Sequence, residues 1–314
     1  GFLDFNINSK KQISIKFNSN YILNKKQKPK EISINYSMDG SNELYDLNID
    51  LIENEINFNQ INFNKKKGEE FNLNLILTKK KNLYRIKKLE LFNSKNKFKI
   101  NNFKLSKNFK IIDFDSLNAN YFNINGFNNY ISITKKKNKI KITSPSFDIS
   151  SDIEKSLKDT KDANIFKIFE NFNSQISLNI KLARLDDNYY FNNFNGIVEI
   201  KNSKINNVNL SAKFKRGGIF NYTIDKLDGS KVTTVYSDHA KPFVKKFDFI
   251  KGFEDGKLEY ESIISKEGSS SNLLITDFKV SKVPALAQLL TLASLQGIAD
   301  TLRGEGIHFD SFEM

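Results

Sequence analysis

Short runs in which apolar and polar residues strictly alternate fill this chain, and that period of two limits its fold more than any other feature. Ile13-Ser14-Ile15-Lys16-Phe17, Ile32-Ser33-Ile34-Asn35-Tyr36, Leu47-Asn48-Ile49-Asp50-Leu51 and Phe71-Asn72-Leu73-Asn74-Leu75 are examples. Ile56-Asn57-Phe58, Ile61-Asn62-Phe63, Phe98-Lys99-Ile100, Phe103-Lys104-Leu105, Ile131-Ser132-Ile133 and Ile140-Lys141-Ile142 continue the series. Successive side chains of a strand point to opposite faces, so each run carries one dry row and one wet row. Asn, Lys, Gly and Ser separate the runs at the spacing of an antiparallel meander. Strands are expected again at 176–182, 197–200, 205–210, 212–214, 219–224, 232–236, 258–264 and 273–280. Asn206-Asn207 and Arg216-Gly217-Gly218 read as turns, and Asp255-Gly256 as a tight hairpin between Phe253 and Leu258.

The period changes in three places. Ser151 and Glu154 form a capping-box pattern ahead of Ile153, Leu157, Ile165, Phe166, Ile168, Phe169 and Phe172, which predicts a helix over 152–172. Ser237-Asp238-His239-Ala240 predicts a capped short helix through about Phe247. The third place is an uncharged run from Val283 to Ala299, with Pro284 suited to a first helical turn and Gly304 and Gly306 to a stop, so 284–303 is expected to be one helix. Leu286, Leu289, Leu290, Ala293 and Gly297 share one side of that helix. Leu292, Leu295, Ile298, Ala299 and Leu302 share roughly the other. Two apolar stripes need two apolar partners. One is the protein's own sheet; the other is a second element, a subunit or lipid. The uncharged run falls short of the roughly 20 residues that a bilayer core requires.

The expected fold is therefore mainly β: a long antiparallel, curled, repeating β-groove, taco-like, with two to three helices. So few helices cannot cover the whole dry face of such a meander, which must close as a sandwich or barrel or curl into a trough. The division is β-groove repeats over 1–150, a helical insertion over 151–172, further repeats over 173–281, the two-faced helix over 282–304 and the start of another strand over 305–314. The chain looks like a piece of something longer.

The net charge of +13 would suit an anionic surface, yet the lysines are scattered at strand ends and turns, as in Lys65-Lys66-Lys67 and Lys79-Lys80-Lys81. Such lysines read as solvated turns and edge guards. Arginine is confined to Arg85, Arg184, Arg216 and Arg303, with no aromatic-and-arginine platform for stacking bases, so no nucleic-acid partner is expected. No cysteine is present, which excludes disulfides and thiolate metal sites. His239 and His308 stand outside metal-ligand spacing, Asp186-Asp187 reads as a hairpin turn, and no phosphate loop or nucleophile elbow occurs. No cofactor, metal or catalytic residue is expected, and the chain does not read as an enzyme.

The C-terminal third resembles a known family. Ser237-Asp238-His239-Ala240, Gly252 with Asp255-Gly256-Lys257-Leu258, Thr276-Asp277-Phe278-Lys279-Val280, the run from Val283 to Asp300, and Gly304-Glu305-Gly306-Ile307-His308-Phe309-Asp310 are similar to the C-terminal region of AsmA-like, YhdP-type envelope proteins. The resemblance covers about residues 190–314, with Phe147-Asp148-Ile149 similar upstream, and His308 departs from the proline expected at its position. It implies a periplasmic β-groove protein whose full-length parent is anchored in the inner membrane of a Gram-negative bacterium. Such a protein shields phospholipid acyl chains between inner and outer membrane. Phospholipid, bacterial membranes and envelope proteins are the partners it implies.

Two functions follow as expectations. In the first, a lipid-conducting groove is lined by Ile176, Leu178, Ile180, Leu182, Ile197, Val208, Leu210, Phe214, Leu273 and Ile275. The helix residues Leu286, Leu289, Leu290, Leu292, Leu295, Ile298 and Leu302 then contact lipid or membrane. In the second, a structural or partner-binding β-scaffold of the envelope fills its dry face with its own side chains. A one-residue slip of register exchanges the two faces of a strand, so sequence alone leaves open which parity faces inward.

Overall fold

A computed structural model describes residues 2–8, 12–21, 30–150, 172–244, 252–281 and 306–314. The helix expected over 152–172, apart from Phe172, lies outside these residues. So does the two-faced helix of 284–303, with all seven of its candidate lipid-contacting residues. The described chain is mainly β, its strands pair antiparallel, and the sheet does not close into a barrel. Among the described residues, Lys241–Val244 is α-helical, Asn59–Ile61 is a 3-10 turn, and Ser150 is helical. Of the short helix expected after Ser237 through about Phe247, Lys241–Val244 is found, and residues 245–247 lie outside the described residues.

The chain divides into two compact units, the first holding Gly1–Ser151, Asp162–Ile176 and Lys201–Lys204, and the second the remainder. In the first unit the strands are β1 (Phe2–Ile7), β2 (Ile13–Tyr21), β3 (Lys30–Asp39), β4 (Asn42–Asp50), β5 (Ile56–Phe58), β6 (Phe63–Lys65), β7 (Asn72–Lys80), β8 (Leu83–Phe92), β9 (Lys97–Leu105), β10 (Ile111–Asp113), β11 (Ser116–Phe122), β12 (Asn128–Lys136) and β13 (Lys139–Asp148). They run as a meander from β1 to β4, then β7, β8, β9, β11, β12 and β13. The short β10 also pairs with β9, and β5 with β6 forms a separate hairpin.

Strand β14 (Ser174–Arg184) leads into the second unit, which contains β15 (Tyr190–Lys201), β16 (Lys204–Phe214), β17 (Ile219–Leu227), β18 (Ser230–Ser237), β19 (Phe253–Ile264), β20 (Ser269–Val280) and β21 (Ile307–Glu313). Strands β16 to β21 pair with their neighbours in chain order.

Two turns expected from sequence are not turns. Asn206-Asn207 lies inside β16, the turn being made by Asn202 and Ser203, both at positive φ. Asp255-Gly256 lies inside β19, where Asp255 is left-handed, as is Asp277 in the paired β20, and the register between the two strands is unchanged on either side. Aspartate and asparagine tolerate left-handed backbone in a strand as in a turn, so local composition does not separate the two settings.

Gly256 is required where it stands. A Cβ there would lie 2.9 Å from Cβ of Phe278 and 3.2 Å from Cζ of Phe253, at φ +80. These two rings stack with centroids 5.1 Å apart, and Phe278 stacks in turn on Phe309 at 5.2 Å. Replacing Gly256 with Ala is expected to destabilise the protein by about 2–3 kcal/mol through backbone strain and a displaced ring. A urea midpoint within error of the wild type would contradict this account.

Candidate functional site

The registers of the first unit stack the alternating runs in phase. Leu3 pairs with Phe17, Phe17 with Ile34, Ile34 with Leu47, Leu47 with Leu75 and Leu75 with Leu89. From Leu89 the row passes to Ile100, Leu117, Ile133 and Ile142. Ten consecutive paired strands thus put an aliphatic or aromatic side chain in one row. One residue over, the row reads Asn18, Ser33, Asn48, Asn74, Glu90, Lys99, Asn118, Ser132 and Thr143. The sheet of this unit therefore has one apolar and one polar face.

Bulges keep the faces in phase where alternation fails. Ile86 and Leu89 are separated by two lysines, and Ile100 and Phe103 by two asparagines, yet all four belong to the apolar face. A register irregularity opposite β8 and the left-handed Asn102 in β9 absorb the extra residues.

None of the ten ladder residues is fully buried, and Leu3 is 64% exposed. Where the hairpin β5–β6 crosses the same face, burial is complete. Phe63 of the hairpin lies 4.8 Å from Phe98, 5.8 Å from Tyr121 and 6.0 Å from Phe71 between ring centroids, and Phe58 lies 5.5 Å from Phe98. Phe63, Phe71, Phe98 and Tyr121 are all buried. Tyr121 donates its hydroxyl proton to the Ile61 carbonyl at 3.2 Å, which ties the hairpin to β11.

Lys65 anchors the hairpin from within. Its Nζ donates to the carbonyls of Leu51 at 2.6 Å, Ile52 at 3.0 Å and Asn54 at 2.6 Å, and the residue is only 1% exposed. Burial pushes its pKa below the usual lysine range, against the opposing pull of Glu69, Asp50 and Glu53. The expectation that Lys65 belongs to a solvated basic turn is overturned; only three backbone carbonyls converging from a distant loop give it a place inside. Changing Lys65 to Met should leave those carbonyls without a charged donor and cost about 3 kcal/mol. Hydrogen exchange should show it as lost protection in Ile56–Lys65, and unchanged protection there would refute the anchoring role.

The opposite end of the apolar face carries one ion pair. Glu43 and Lys79 are cross-strand partners at 2.9 Å, in a row with Ile13, Met38, Tyr84 and Leu105. Tyr45 donates its hydroxyl proton to Glu43, and its ring lies 5.0 Å from that of Tyr36. Tyr84 stacks on Phe109 at 5.0 Å. The Tyr45 hydrogen bond, then Lys79, hold the Glu43 carboxyl below the ordinary carboxylate range, while the Tyr45 phenol is pushed up to about 12. The folded pKa of Glu43 is lower than the unfolded one, so its stabilising contribution is complete above the ordinary carboxylate range and is lost as pH falls through the lowered value. Glu43→Gln should flatten that acid-side slope in a pH series of urea midpoints; an unaltered slope would show that other carboxylates produce it.

The second unit brings several of the sequence-expected residues together. In β14, Ile176, Leu178, Ile180 and Leu182 share the more buried parity, while Ser177, Asn179 and Lys181 are exposed. Leu210 pairs with Tyr222, and the row continues through Val235 and Tyr260 to Leu273. Ala212, Phe220, Ser237, Leu258, Ile275 and Phe312 form the next row. Val208 begins a third row that passes through Ile224 to Thr233, Ser262 and Ser271, hydroxyl-bearing side chains at the far end of the face.

Ile197 and Phe214 do not line an open surface. Asn193 is left-handed, and the resulting bulge lets both Phe191 and Phe194 be buried, after which the parity of Val198 and Ile200 is inward and Ile197 is 44% exposed on the other side. Phe214 is enclosed by Phe191 at 4.8 Å and His239 at 4.6 Å. Ile180, Val208 and Ile275 are also buried. Phe220 extends the cluster to Phe243 of the helical turn, stacked at 5.4 Å.

Around that turn, Ser237 Oγ donates to the His239 carbonyl at 2.8 Å, Asp238 accepts from the Ile219 amide at 2.7 Å, and a ring nitrogen of His239 is 2.8 Å from the Gly217 carbonyl. These residues brace strand ends. Asp186 accepts from the amides of Asn188 and Tyr189, which makes Asp186-Asp187 a turn. Among the described residues no group of three or more acidic or histidine side chains could hold a metal, and no helix is long and apolar enough to cross a membrane.

The residues missed from sequence are those of the first unit: the ten-membered ladder, the aromatic stop with Lys65, and the Glu43–Lys79 pair. Their alternation is visible in the sequence, but stacking in phase depends on register. No family model, curated protein or solved structure matches the chain.

Proposed function

We propose that this chain is a lipid-transport segment that shields phospholipid acyl chains on the apolar face of its sheet. The observation that carries this reading is the unbroken row of ten apolar side chains from Leu3 to Ile142, partly accessible along its length, on a sheet whose other face is polar. An apolar patch this continuous on a soluble surface marks an interaction site. Each acyl methylene removed from water gains about 0.8 kcal/mol. A row of similar aliphatic contacts supplies that gain without one dominant site, so a chain can move from strand to strand.

The resemblance of residues 190–314 to AsmA-like, YhdP-type proteins supports placing this activity in a Gram-negative envelope. There the chain would work in the periplasm between inner and outer membrane, as part of a parent anchored in the inner one. The candidate helix residues Leu286 to Leu302 would supply a further membrane or lipid contact in this reading. A scaffold that fills its own dry face is the competing function.

Substituting Leu47, Leu75 and Leu89 together by Glu places three charges in the middle of the row. Transfer of fluorescent phospholipid between donor and acceptor vesicles is expected to fall at least tenfold, while the same change at Asn48, Asn74 and Lys99 on the polar face leaves it intact. Circular dichroism and the urea midpoint check that each variant is folded. Equal transfer by the two folded variants would reject the apolar face as the lipid path.

A further inference from the structure

The charged end and the aromatic stop lie on one face of a single strand. Along β7, Leu73, Leu75, Leu77 and Lys79 share a face, and Phe71 continues it under the hairpin. The six residue steps from Leu73 to Lys79 span about 20 Å at roughly 3.3 Å per residue. One leaflet's share of a bilayer hydrocarbon core of about 30 Å is about 15 Å. A fully extended acyl chain is longer than that average share, so one laid along β7 from the charged pair would point its terminus toward Leu73 and the hairpin beyond it.

The two ends differ in chemistry. At one, the rings of Phe58, Phe63, Phe98 and Tyr121 pack against one another on the face. At the other, an ammonium and a carboxylate stand 2.9 Å apart where the alternation calls for an apolar pair, with side chains 33% and 22% exposed. An accessible ion pair contributes little to stability. Its two charges are, however, complementary to a headgroup carrying both a phosphate and an ammonium. Tyr45 holds Glu43 in place, and the amphipathic rings of Tyr36, Tyr45 and Tyr84 suit the boundary between a polar head and an acyl chain.

We infer that the first unit seats a zwitterionic phospholipid lengthwise along β7, its phosphate against Lys79, its ammonium against Glu43 and its acyl terminus against the Phe63 hairpin. This rests on the proposed lipid-binding face and adds to it an orientation and a headgroup class. Lys79 and Glu43 exchange their mutual contact for contacts to the headgroup, and the hairpin sets how far the tail can reach.

The test uses the purified chain and vesicles containing phosphatidylethanolamine that carries a photoactivatable diazirine either at the acyl terminus or at the acyl carbon nearest the glycerol. The terminal probe is expected to label the peptide containing Phe58 and Phe63, and the proximal probe the peptides around Tyr45 and Lys79. Reversed or identical labelling by the two probes would overturn the orientation. In parallel, Glu43→Gln with Lys79→Met is expected to lose at least tenfold in phosphatidylethanolamine binding while binding of diacylglycerol, which lacks the headgroup, stays as in the wild type. Unchanged preference between the two lipids in the double variant would overturn the headgroup assignment. If the wild type binds neither lipid, the lipid-binding face itself is wrong and the orientation falls with it.

Discussion

Cross-strand register is the constraint on which the rest of this structure depends. Each strand of the first unit is amphipathic by itself, but a wet and a dry face arise only because Leu47 meets both Ile34 and Leu75, and Leu89 meets both Leu75 and Ile100. A shift of one residue between two neighbouring strands would set an apolar residue against a polar one and join the polar row to the apolar one. Bulges at Asn102 and in β8 preserve this phase across strands whose spacing would otherwise break it. Local irregularity here serves long-range order.

The two units use the same principle to different ends. In the second, rings from Phe191, Phe194, Phe214, Phe220 and Phe243 gather into a closed cluster, and residues such as Ile180 and Ile275 are buried. In the first, closure is local: the β5–β6 hairpin covers Phe98 and Tyr121, held by Lys65 from behind, and the remaining aliphatic row stays accessible. A buried lysine satisfied by three carbonyls is a costly way to fix a hairpin unless its position matters. That position ends the apolar face, so the hairpin, the leucines of β7 and the Glu43–Lys79 pair follow one another along one side of the sheet.

Much of this was legible in the sequence, and the limits are instructive. Alternation marked the strands and their antiparallel class, but it left open which parity of each strand faces inward; the structure puts Ile176, Leu178, Ile180 and Leu182 on the more buried side of β14 and sets Leu210 and Leu273 in one cross-strand row. Ile197 failed because Ile197, Val198 and Ile200 offer apolar residues in both parities, and a single left-handed Asn193 upstream decides between them. Asp255-Gly256 failed because residues that favour turns also adopt left-handed backbone inside paired strands, as Asp255 and Asp277 do here.

What the amino-acid sequence determined by itself is therefore local: period, strand, turn chemistry, and the absence of cysteine. Those depend on neighbours a few residues away, whose influence the covalent chain enforces. Tertiary structure alone decided that ten separate apolar residues become one row, that Lys65 is buried, and that Glu43 finds Lys79 across 36 residues of chain. Each of these needs backbone partners from distant segments, and register between such segments is set by the summed fit of whole strands and bulges, a quantity that no single stretch of sequence contains.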